Sequence, residues 1–342
     1  MAVKVGLVGL GMMGAGHFKC FRDIPGAEIV AVCDVDPKKL AGDWAGTQGN
    51  IDTGGGTAAD LSAIKRFDKL EDLLADPDVD MVDLTLPTFL HAPLSIQALK
   101  AGKHVFCEKP MALTAALAEE MAATARAAGR YLMIGHCLRF WPEYLAMKEM
   151  IDSGLYGPVR TAVFTRLSGT PKWSWTDWMR DPMRSGSASL DLHIHDVDTV
   201  LWYFGKPQAV SALGASDSPS GFNHLSAQYI YDDGPLVVAE GGWDLPDSYG
   251  FRMAAQIGFE AAAVDYDSKK TPALTLFTAE GAENPPMGTD NAYRDELAYF
   301  VDCVAAGSPP SRVTAEDSAD AVALVEAEVE SARTGRPVKL DL

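Results

Sequence analysis

Cysteine is scarce in this 342-residue sequence and never closely paired. The five cysteines lie at positions 20, 33, 107, 137 and 303, and no C-x-x-C motif occurs. An odd number at wide spacing is not typical of a disulfide framework or a cysteine-rich zinc site. The sequence therefore predicts a protein of a reducing, cytoplasmic compartment, and we expect no metal.

Basic residues and long apolar runs are also in short supply. The 29 lysines and arginines are outnumbered by 47 aspartates and glutamates, which leaves a formal net charge of −18. Nucleic acids and anionic membrane surfaces are bound by basic patches, so we expect neither as a partner. No apolar run reaches the ~18 residues of a membrane span. The apolar N-terminal segment is interrupted by glycines and lacks the cleavage pattern of a signal peptide.

Short apolar strands alternate with helical patterns over residues 1–135. The strand-like segments read KVGLVGL, EIVAVCD, MVDLTLP, KHVFCEKP and RYLMIGHC. Apolar strands that alternate with helices are typical of a parallel sheet covered on both faces. Residues 1–135 are therefore predicted to form a doubly wound α/β domain of the Rossmann type. The glycine-rich residues 48–60 break the pattern and are predicted to be a surface excursion.

The pattern changes over residues 136–342. Strand-like segments with partial alternation read VRTAVFTRL, HLSAQYIY, PLVVAEGGW, FRMAAQIGF and AAAVDYD, and helical patterns cover residues 190–204, 292–306 and 315–334. This mixture predicts an α+β second domain with a largely antiparallel sheet. Such strands are expected to leave one broad face uncovered, which predicts a homo-oligomer built through this sheet.

The motif Gly9-Leu10-Gly11-Met12-Met13-Gly14 closes the first predicted strand and opens the first predicted helix. Its glycines allow a tight turn and a close approach of backbone N–H groups to a pyrophosphate. The next long strand ends at Asp34, 20 residues after Gly14, where a carboxylate can accept from ribose hydroxyls and repel a 2′-phosphate. These features predict a dinucleotide cofactor, NAD in preference to NADP. Lys38 and Lys39 stand close enough to weaken the preference.

Two further loops, TLPTFLH and EKP, follow the ends of predicted strands. Ligands of doubly wound sheets bind at the carboxyl ends of the strands, so both loops are expected to border the cofactor crevice. The predicted cofactor contacts are Gly9, Gly11, Met12, Met13, Gly14, Asp34, Thr85, Pro87, His91, Glu108 and Lys109.

Residues 189–198, SLDLHIHDVD, place two histidines and three aspartates ahead of an apolar stretch. The apolar spacing favours a helix, on which Asp191 and His195 lie one turn apart and His193 points the other way. A strand would instead align Asp191, His193 and His195 like a metal triad. We favour the helix and predict that Asp196 and Asp198 serve the helix N-terminus or a hydrogen-bond network rather than a metal.

The pair Asp191 and His195 admits two interpretations. Asp191 as a helix cap and His195 as a core histidine would be purely structural. Histidine also suits proton transfer to or from a hydroxyl, because its ordinary pKa lies near neutrality. Three tryptophans precede this segment in PKWSWTDWMRDP, and they are predicted either to line a substrate or to belong to the core: Trp173, Trp175 and Trp178.

Taken together, the motifs resemble the Gfo/Idh/MocA oxidoreductase family. The similarity rests on GLGMMG, TLPTFLH, AGKHVFCEKP, GHCLRFWP and the D-x-x-x-H spacing, and it covers nearly the whole chain. It implies a Rossmann domain followed by a domain with an open, mainly antiparallel sheet, and dimers or tetramers. It also implies sugars, inositols or related polyols as substrates. The sequence departs from the family in SGSAS, where a glycine-rich lead-in is usual, and at Thr88, where many members have asparagine.

The family's substrate-side constellation maps onto Lys109, Asp191 and His195. The resemblance thus implies an NAD(H)-dependent oxidoreductase in which Lys109 polarises the reacting oxygen and His195 handles the proton. Asp191 would bind a neighbouring hydroxyl or set the tautomer of the histidine. Two alternatives stay open: a catalytically idle NAD-binding regulator, and a glycoside hydrolase that uses NAD transiently.

Overall fold

Strands and helices alternate over the N-terminal part of the computed structural model, which describes residues 2–45, 58–288 and 291–340. The strands here are β1 (Val3–Val8), β2 (Ala27–Cys33), β3 (Lys65–Phe67), β4 (Met81–Leu84), β5 (His104–Glu108) and β6 (Leu132–Gly135). The helices are α1 (Met12–Arg22), α2 (Pro37–Leu40), α3 (Leu70–Leu74), α4 (Thr88–Lys100) and α5 (Ala115–Ala128).

The six strands form one parallel sheet in the order β3-β2-β1-β4-β5-β6. Strand order reverses beside β1, which opens a ligand crevice at the carboxyl ends of β1 and β4. The central strands read as continuous apolar runs because both faces are buried: all four residues of β4 and of β6 are buried. The predicted Rossmann fold is confirmed.

The chain divides into two compact units. The first contains the described residues of Met1–Cys137 together with Trp173–Trp178 and Asn291–Ala319, and the second contains those of Leu138–Lys172, Met179–Asp290 and Asp320–Leu342. The predicted boundary after residue 135 lies two residues from the end of the first segment. Unit 1 also takes up two later segments, of which the second includes helix α10 (Ala292–Ala306).

Unit 2 contains the larger sheet. Its strands are β7 (Val159–Gly169), β8 (Ala209–Ser218), β9 (Gly221–Ile230), β10 (Leu236–Leu245), β11 (Arg252–Phe259), β12 (Ala262–Asp267), β13 (Leu274–Thr278), β14 (Gly281–Glu283) and β15 (Val338–Lys339). Its helices are α6 (Pro142–Ser153), α7 (Pro182–Ser185), α8 (Ser187–Asp191) and α9 (Ile194–Phe204), and α11 (Ala315–Thr334) begins in unit 1 and continues in unit 2. Three short 3-10 helices cover Cys137–Phe140, Trp175–Arg180 and Asp247–Tyr249.

The nine strands among the described residues of unit 2 have the order β14-β13-β12-β11-β7-β10-β9-β8-β15, and of their pairings only β10–β7 is parallel. The mainly antiparallel sheet is thus confirmed. Side chains alternate between a buried face, which packs on α9, and an opposite face that carries exposed apolar residues. On that opposite face Leu213 is 76% exposed, Phe277 44% and Val163 37%.

The continuous helix predicted over residues 190–204 is wrong, because the helix breaks between Asp191 and Ile194. The carbonyl oxygen of Ala188 accepts from the N–H groups of both Leu192 (3.0 Å) and His193 (2.9 Å), which widens the turn. The side chain of His193 packs so closely against β10 that a Cβ on Gly241 would lie 2.7 Å from it. The burial of the His193 side chain against β10 therefore determines the local backbone, although the apolar spacing alone favours a continuous helix.

Asp196 and Asp198 each form an ion pair with a buried arginine. Arg166 donates to both carboxylate oxygens of Asp196, at 2.9 and 3.1 Å, and Arg139 donates to both oxygens of Asp198, at 3.0 and 2.7 Å. All four side chains are at most 4% exposed. Bidentate pairing is what permits such charges in a core. The aspartates therefore belong to a hydrogen-bond network, as predicted.

Within the described ranges, no helix combines the length and apolar character that a membrane crossing needs.

Candidate active site

The turn between β1 and α1 has an open side and a closed side. Gly9 has a φ of +90°, and a Cβ on it would lie 2.6 Å from the carbonyl oxygen of Thr85. A Cβ on Gly14 would collide with the carbonyl oxygen of Gly9. Among the described residues, a Cβ on Gly11 would meet nothing within 4 Å and no side chain caps α1 there. The open space at this helix N-terminus fits a phosphate group of a dinucleotide.

Thr85 holds this turn against β4. Its hydroxyl donates to the carbonyl oxygens of Gly9 (2.6 Å) and Val8 (3.1 Å), and the residue is buried. The side chain predicted to contact the cofactor therefore fixes the glycine turn. Whether Thr85 also touches the cofactor stays a prediction.

Asp34 lies just beyond the end of β2 and is held by backbone donors. The N–H of Leu10 donates to its Oδ2 at 2.6 Å and the N–H of Asp36 to its Oδ1 at 2.8 Å. Lys39 Nζ lies 3.8 Å from Oδ2. The first bond joins the carboxylate to the glycine turn, and the oxygens keep lone pairs for the hydroxyls of a ribose.

His91 bridges the two predicted crevice loops. Its ring nitrogens lie 2.7 Å from the carbonyl oxygen of Pro110 and 2.7 Å from that of Leu86, and the side chain is buried. Burial lowers the pKa of His91, although the two carbonyl groups oppose the shift. With a backbone carbonyl oxygen 2.7 Å from each ring nitrogen, the imidazole lies between the loop after β4 and the EKP segment after β5 and can donate to one of them.

Lys109 directly follows the last residue of β5 and is half-buried. Its backbone N–H donates to Oε2 of Glu108 at 3.2 Å. Glu108 itself is buried, and a Cβ on Gly135 of the neighbouring strand would lie 3.3 Å from its Oε1. The carboxylate is thus confined at the carboxyl end of β5, where Lys109 leaves the sheet.

In unit 2 the two histidines of SLDLHIHDVD have different surroundings. His193 is fully buried, with Nε2 3.2 Å from Oε2 of the buried Glu328. His195, the second residue of α9, is half-buried. Asp191 is 4% exposed and ends α8. Of the two imidazoles, only that of His195 is accessible enough to meet a substrate.

The three tryptophans lie in the segment Trp173–Trp178, which belongs to unit 1. Trp175 is 54% exposed, and Trp173 and Trp178 are half-buried. Exposed indole faces are available for stacking on a sugar ring. Their role in substrate binding stays a prediction.

Sequence reasoning missed a group of ionisable side chains in unit 1, which we call the buried carboxyl cluster: His17, Asp83, Glu108 and Glu296. His17 Nδ1 lies 2.8 Å from Oδ2 of Asp83, and its Nε2 lies 3.2 Å from Oε1 of Glu108. His17, Glu108 and Glu296 each direct a ligand atom to within 4.8 Å of the others, so they are candidate metal ligands. The signal in the sequence is Asp83, a charged residue inside the apolar strand MVDL.

The cluster shifts the pKa values of its members. Burial by itself would lower the pKa of His17, but the charges and hydrogen bonds of Asp83 and Glu108 raise it well above its usual range. Burial tends to raise the pKa of Glu108, and the hydrogen bond and charge of His17 outweigh burial and lower it. The raised pKa favours the imidazolium form of His17, which is hydrogen-bonded to Asp83 and lies 3.2 Å from Oε1 of Glu108.

We expect different outcomes for alanine at two glycines of the β1–α1 turn. Gly11→Ala should leave the melting temperature unchanged, because its Cβ points into open space, and should raise the Kd for NAD at least ~10-fold by filling the phosphate position. Gly14→Ala should cost about 1–3 kcal/mol of stability as well, because its Cβ meets backbone. Thermal melts and NAD titration by fluorescence quenching measure both effects. Unchanged NAD binding in Gly11→Ala would place the phosphate elsewhere.

Comparison with known proteins identifies the family of this chain. Residues 3–136 match the family model described as oxidoreductase family, NAD-binding Rossmann fold, and residues 144–262 match the GFO/IDH/MocA C-terminal domain. Inositol 2-dehydrogenase 1 of Saccharopolyspora erythraea is 30% identical, over 100% of this chain and 97% of the relative. The 1,5-anhydro-D-fructose reductase of Ensifer adhaerens is 29% identical, over 81% of this chain and 84% of the length of the reductase. A levoglucosan dehydrogenase solved with NADH and levoglucosan has the same fold, with a TM-score of 0.84 at 20% identity and full coverage of both chains. This chain belongs to the Gfo/Idh/MocA oxidoreductase family.

Proposed function

We propose that this chain is an NAD-dependent oxidoreductase that transfers a hydride between nicotinamide and a hydroxyl or keto carbon of a sugar, inositol or related polyol. The observation that carries the proposal is the glycine turn, which leaves space for a phosphate group at Gly11. The same chain contains Lys109, Asp191 and His195, the residues onto which the substrate-side constellation of the family maps. Relatives over most of the chain are named inositol 2-dehydrogenase and 1,5-anhydro-D-fructose reductase, which supports the substrate class.

The side chains then have the following roles. The bound cofactor accepts or supplies the hydride. In the oxidation direction His195 takes the hydroxyl proton, and in reduction it returns one. The Lys109 ammonium stabilises the negative charge that develops on the reacting oxygen. Asp191 binds a neighbouring hydroxyl or orients the imidazole.

A panel of sugars, inositols and anhydrosugars incubated with NAD tests the proposed activity. We expect NADH absorbance to appear at ~340 nm with at least one polyol, since hydride transfer reduces the nicotinamide. Cleavage of a glycoside without net NADH would instead identify a hydrolase. NAD binding without turnover of any compound in either direction would identify a regulator.

We propose that Asp34 sets a preference for NAD over NADP. Its fixed carboxylate accepts from the 2′-hydroxyl of NAD and repels the 2′-phosphate of NADP, and Lys39 reduces that repulsion without removing it. The ratio of kcat/KM for the two cofactors should favour NAD in the wild type and fall in Asp34→Ser. A wild-type preference for NADP would contradict this role.

Single alanine variants separate the two histidines and the lysine. His195→Ala and Lys109→Ala should each lower kcat at least ~10²-fold, because each removes a group that acts on the reacting oxygen or its proton, while NAD binding is retained. His193→Ala should keep kcat and lower the melting temperature, because it leaves the buried Glu328 without its imidazole. Steady-state kinetics, NAD titration and thermal melts measure these effects, with EDTA as a control.

Other patterns would contradict those assignments. Lost NAD binding in Lys109→Ala would make the lysine a cofactor ligand. Retained activity in His195→Ala with loss in His193→Ala would reverse the histidines. Loss in both, together with inactivation by EDTA, would indicate a metal site.

We propose a homo-oligomer, a dimer or tetramer, formed through the open face of the nine-stranded sheet. Support comes from Leu213, Val163 and Phe277, which are exposed on one face of that sheet. Exposed apolar patches on soluble proteins often mark interfaces. Light scattering at micromolar concentration should give a molecular mass that is a multiple of 36.6 kDa. Val163→Lys should lower that measured mass. A wild-type monomer would contradict the proposal.

We also propose a cytoplasmic location, supported by five cysteines that form no disulfide within the part of the chain that the structure describes. Cell fractionation that recovers the protein outside the cytoplasm would contradict it.

A further inference from the structure

His224 lies on the face of the nine-stranded sheet that carries the exposed apolar side chains. It pairs with Gly242 across β9 and β10, and a Cβ on Gly242 would lie 2.5 Å from its Nδ1. A Cβ on the neighbouring Gly241 would instead meet His193, on the face that packs on α9. The imidazole of His224 is therefore held against the backbone of β10 on the opposite, open face.

Both ring nitrogens of His224 face a carboxylate of β10. Nε2 lies 2.8 Å from Oε1 of Glu240, and Nδ1 lies 2.9 Å from Oδ1 of Asp244. The side chain of His224 is 23% exposed, that of Glu240 41% and that of Asp244 29%. A neutral imidazole donates from one nitrogen only, so both carboxylates receive a bond from the ring only when it is an imidazolium. We call these three residues the His224 cluster.

The His224 cluster lies between exposed apolar side chains. Strands β9 and β10 are flanked by β8, which carries Leu213, and by β7, which carries Val163. Leu213 pairs with Ser226 and Val163 pairs with Val238, and each of these partners is two residues from a member of the cluster. Because side chains two residues apart share a face, the cluster belongs to the same surface as Leu213 and Val163.

Two neighbouring ion pairs on this face have permanent cations. Lys270 Nζ lies 2.6 Å from Oδ2 of Asp265, and a guanidinium nitrogen of Arg252 lies 3.0 Å from Oδ2 of Asp267. Both aspartates are brought to the open face by the pairing of β12 with β11. In the His224 cluster, by contrast, the cation is an imidazole, whose charge is lost in the range of neutral pH.

A second copy of this chain fits such a surface. The chain carries a net charge of −18, so two copies repel each other overall. On the open face, however, ion pairs are interspersed with Val163, Leu213 and Phe277. Apolar side chains among nearly balanced charges suit an identical surface better than a strongly acidic or basic partner.

We propose that the His224 cluster makes the open sheet face a pH-sensitive contact, which binds a second copy of this chain while His224 is protonated and binds it more weakly afterwards. The inference rests on the homo-oligomer proposed above and adds the group that regulates it. Association removes water from Glu240 and Asp244, and the imidazolium supplies a donor to each. Once the ring is neutral, one of the two carboxylates loses that donor, and its burial in a contact becomes costly.

The surroundings of His224 agree with this role. Burial by itself would lower the pKa of His224, but the hydrogen bonds and charges of Glu240 and Asp244 outweigh burial and raise it. On β8, the hydroxyl of Ser216 donates to Asp244 at 3.1 Å, and Asp217 is paired with Arg333 of α11 at 3.5 Å. Because the pKa is raised, the favourable contribution is complete below the ordinary histidine pKa and is lost as pH rises through the raised value.

Sedimentation velocity on the full chain, without cofactor or substrate, tests the inference. The Kd for self-association of the wild type should rise at least ~10-fold between about pH 6 and 9, the equivalent of one pKa unit. His224→Gln cannot carry the charge, so it should associate weakly already at the lower pH and change little with pH.

Two further variants separate charge from shape. Glu240→Gln combined with Asp244→Asn removes the carboxylates that need the imidazolium, so this double variant should associate as tightly as the wild type does at the lower pH and keep that Kd at the higher pH. Glu120→Gln, an exposed change on α5 of unit 1, should follow the wild type throughout.

The protonation of His224 is measured independently by an NMR titration of the imidazole C2–H protons. Its signal is assigned by its absence from His224→Gln. We expect a pKa above the ordinary histidine value of about 6.5.

Several results would overturn the proposal. They are a wild-type Kd that does not change with pH, an equal change in His224→Gln, a double variant that still weakens with pH, and an NMR pKa below the ordinary value. A wild-type monomer at every pH would overturn the homo-oligomer together with this inference, whereas an oligomer with a constant Kd would overturn this inference alone. Failure of the polyol panel would leave all of these measurements unaffected.

Discussion

The close approach of helix α1 to the turn before it is the constraint on which the candidate site depends. Gly14 contacts the backbone of Gly9, and Thr85 bonds the carbonyl of Gly9 from the next strand of the sheet. Any side chain at Gly14 would separate helix from turn. Because the two are in contact, the N-terminus of α1 is directed at the space above Gly11 and the N–H of Leu10 reaches Asp34.

Each of the two units also contains buried charge pairs close in sequence to its candidate functional residues. The chain carries a net charge of −18, and several of its buried aspartates are paired with a specific arginine or histidine. Arg166 and Arg139 neutralise Asp196 and Asp198 beneath the segment that bears His195. His17 lies between the carboxyl groups of Asp83 and Glu108, at the end of the strand that leads to Lys109. Pairs of this kind are costly to break from one side, so they hold the functional side chains in place.

Much of the fold follows from local pattern. Apolar strands separated by helices predicted the parallel sheet, and the helices over residues 292–306 and 315–334 have the bounds that their periodicity indicates. The interrupted helix at Leu192 and His193 was missed, because the preference of one imidazole for a buried position against Gly241 carries no periodic signal. The strand β8, with exposed residues over half its length, was missed for lack of an apolar pattern.

The sequence by itself predicted the glycine turn and the acidic residue that follows β2, and its resemblance to the family pointed to Lys109, Asp191 and His195 as candidate catalytic groups. Those signals lie within short segments, where backbone sterics and residue chemistry act over a few positions. Only the tertiary structure decided that His17 meets Glu108, and that Glu296 arrives from a helix 188 residues further along the chain than Glu108. Such partners are chosen by burial in a shared interior, and burial depends on the packing of elements far apart in sequence.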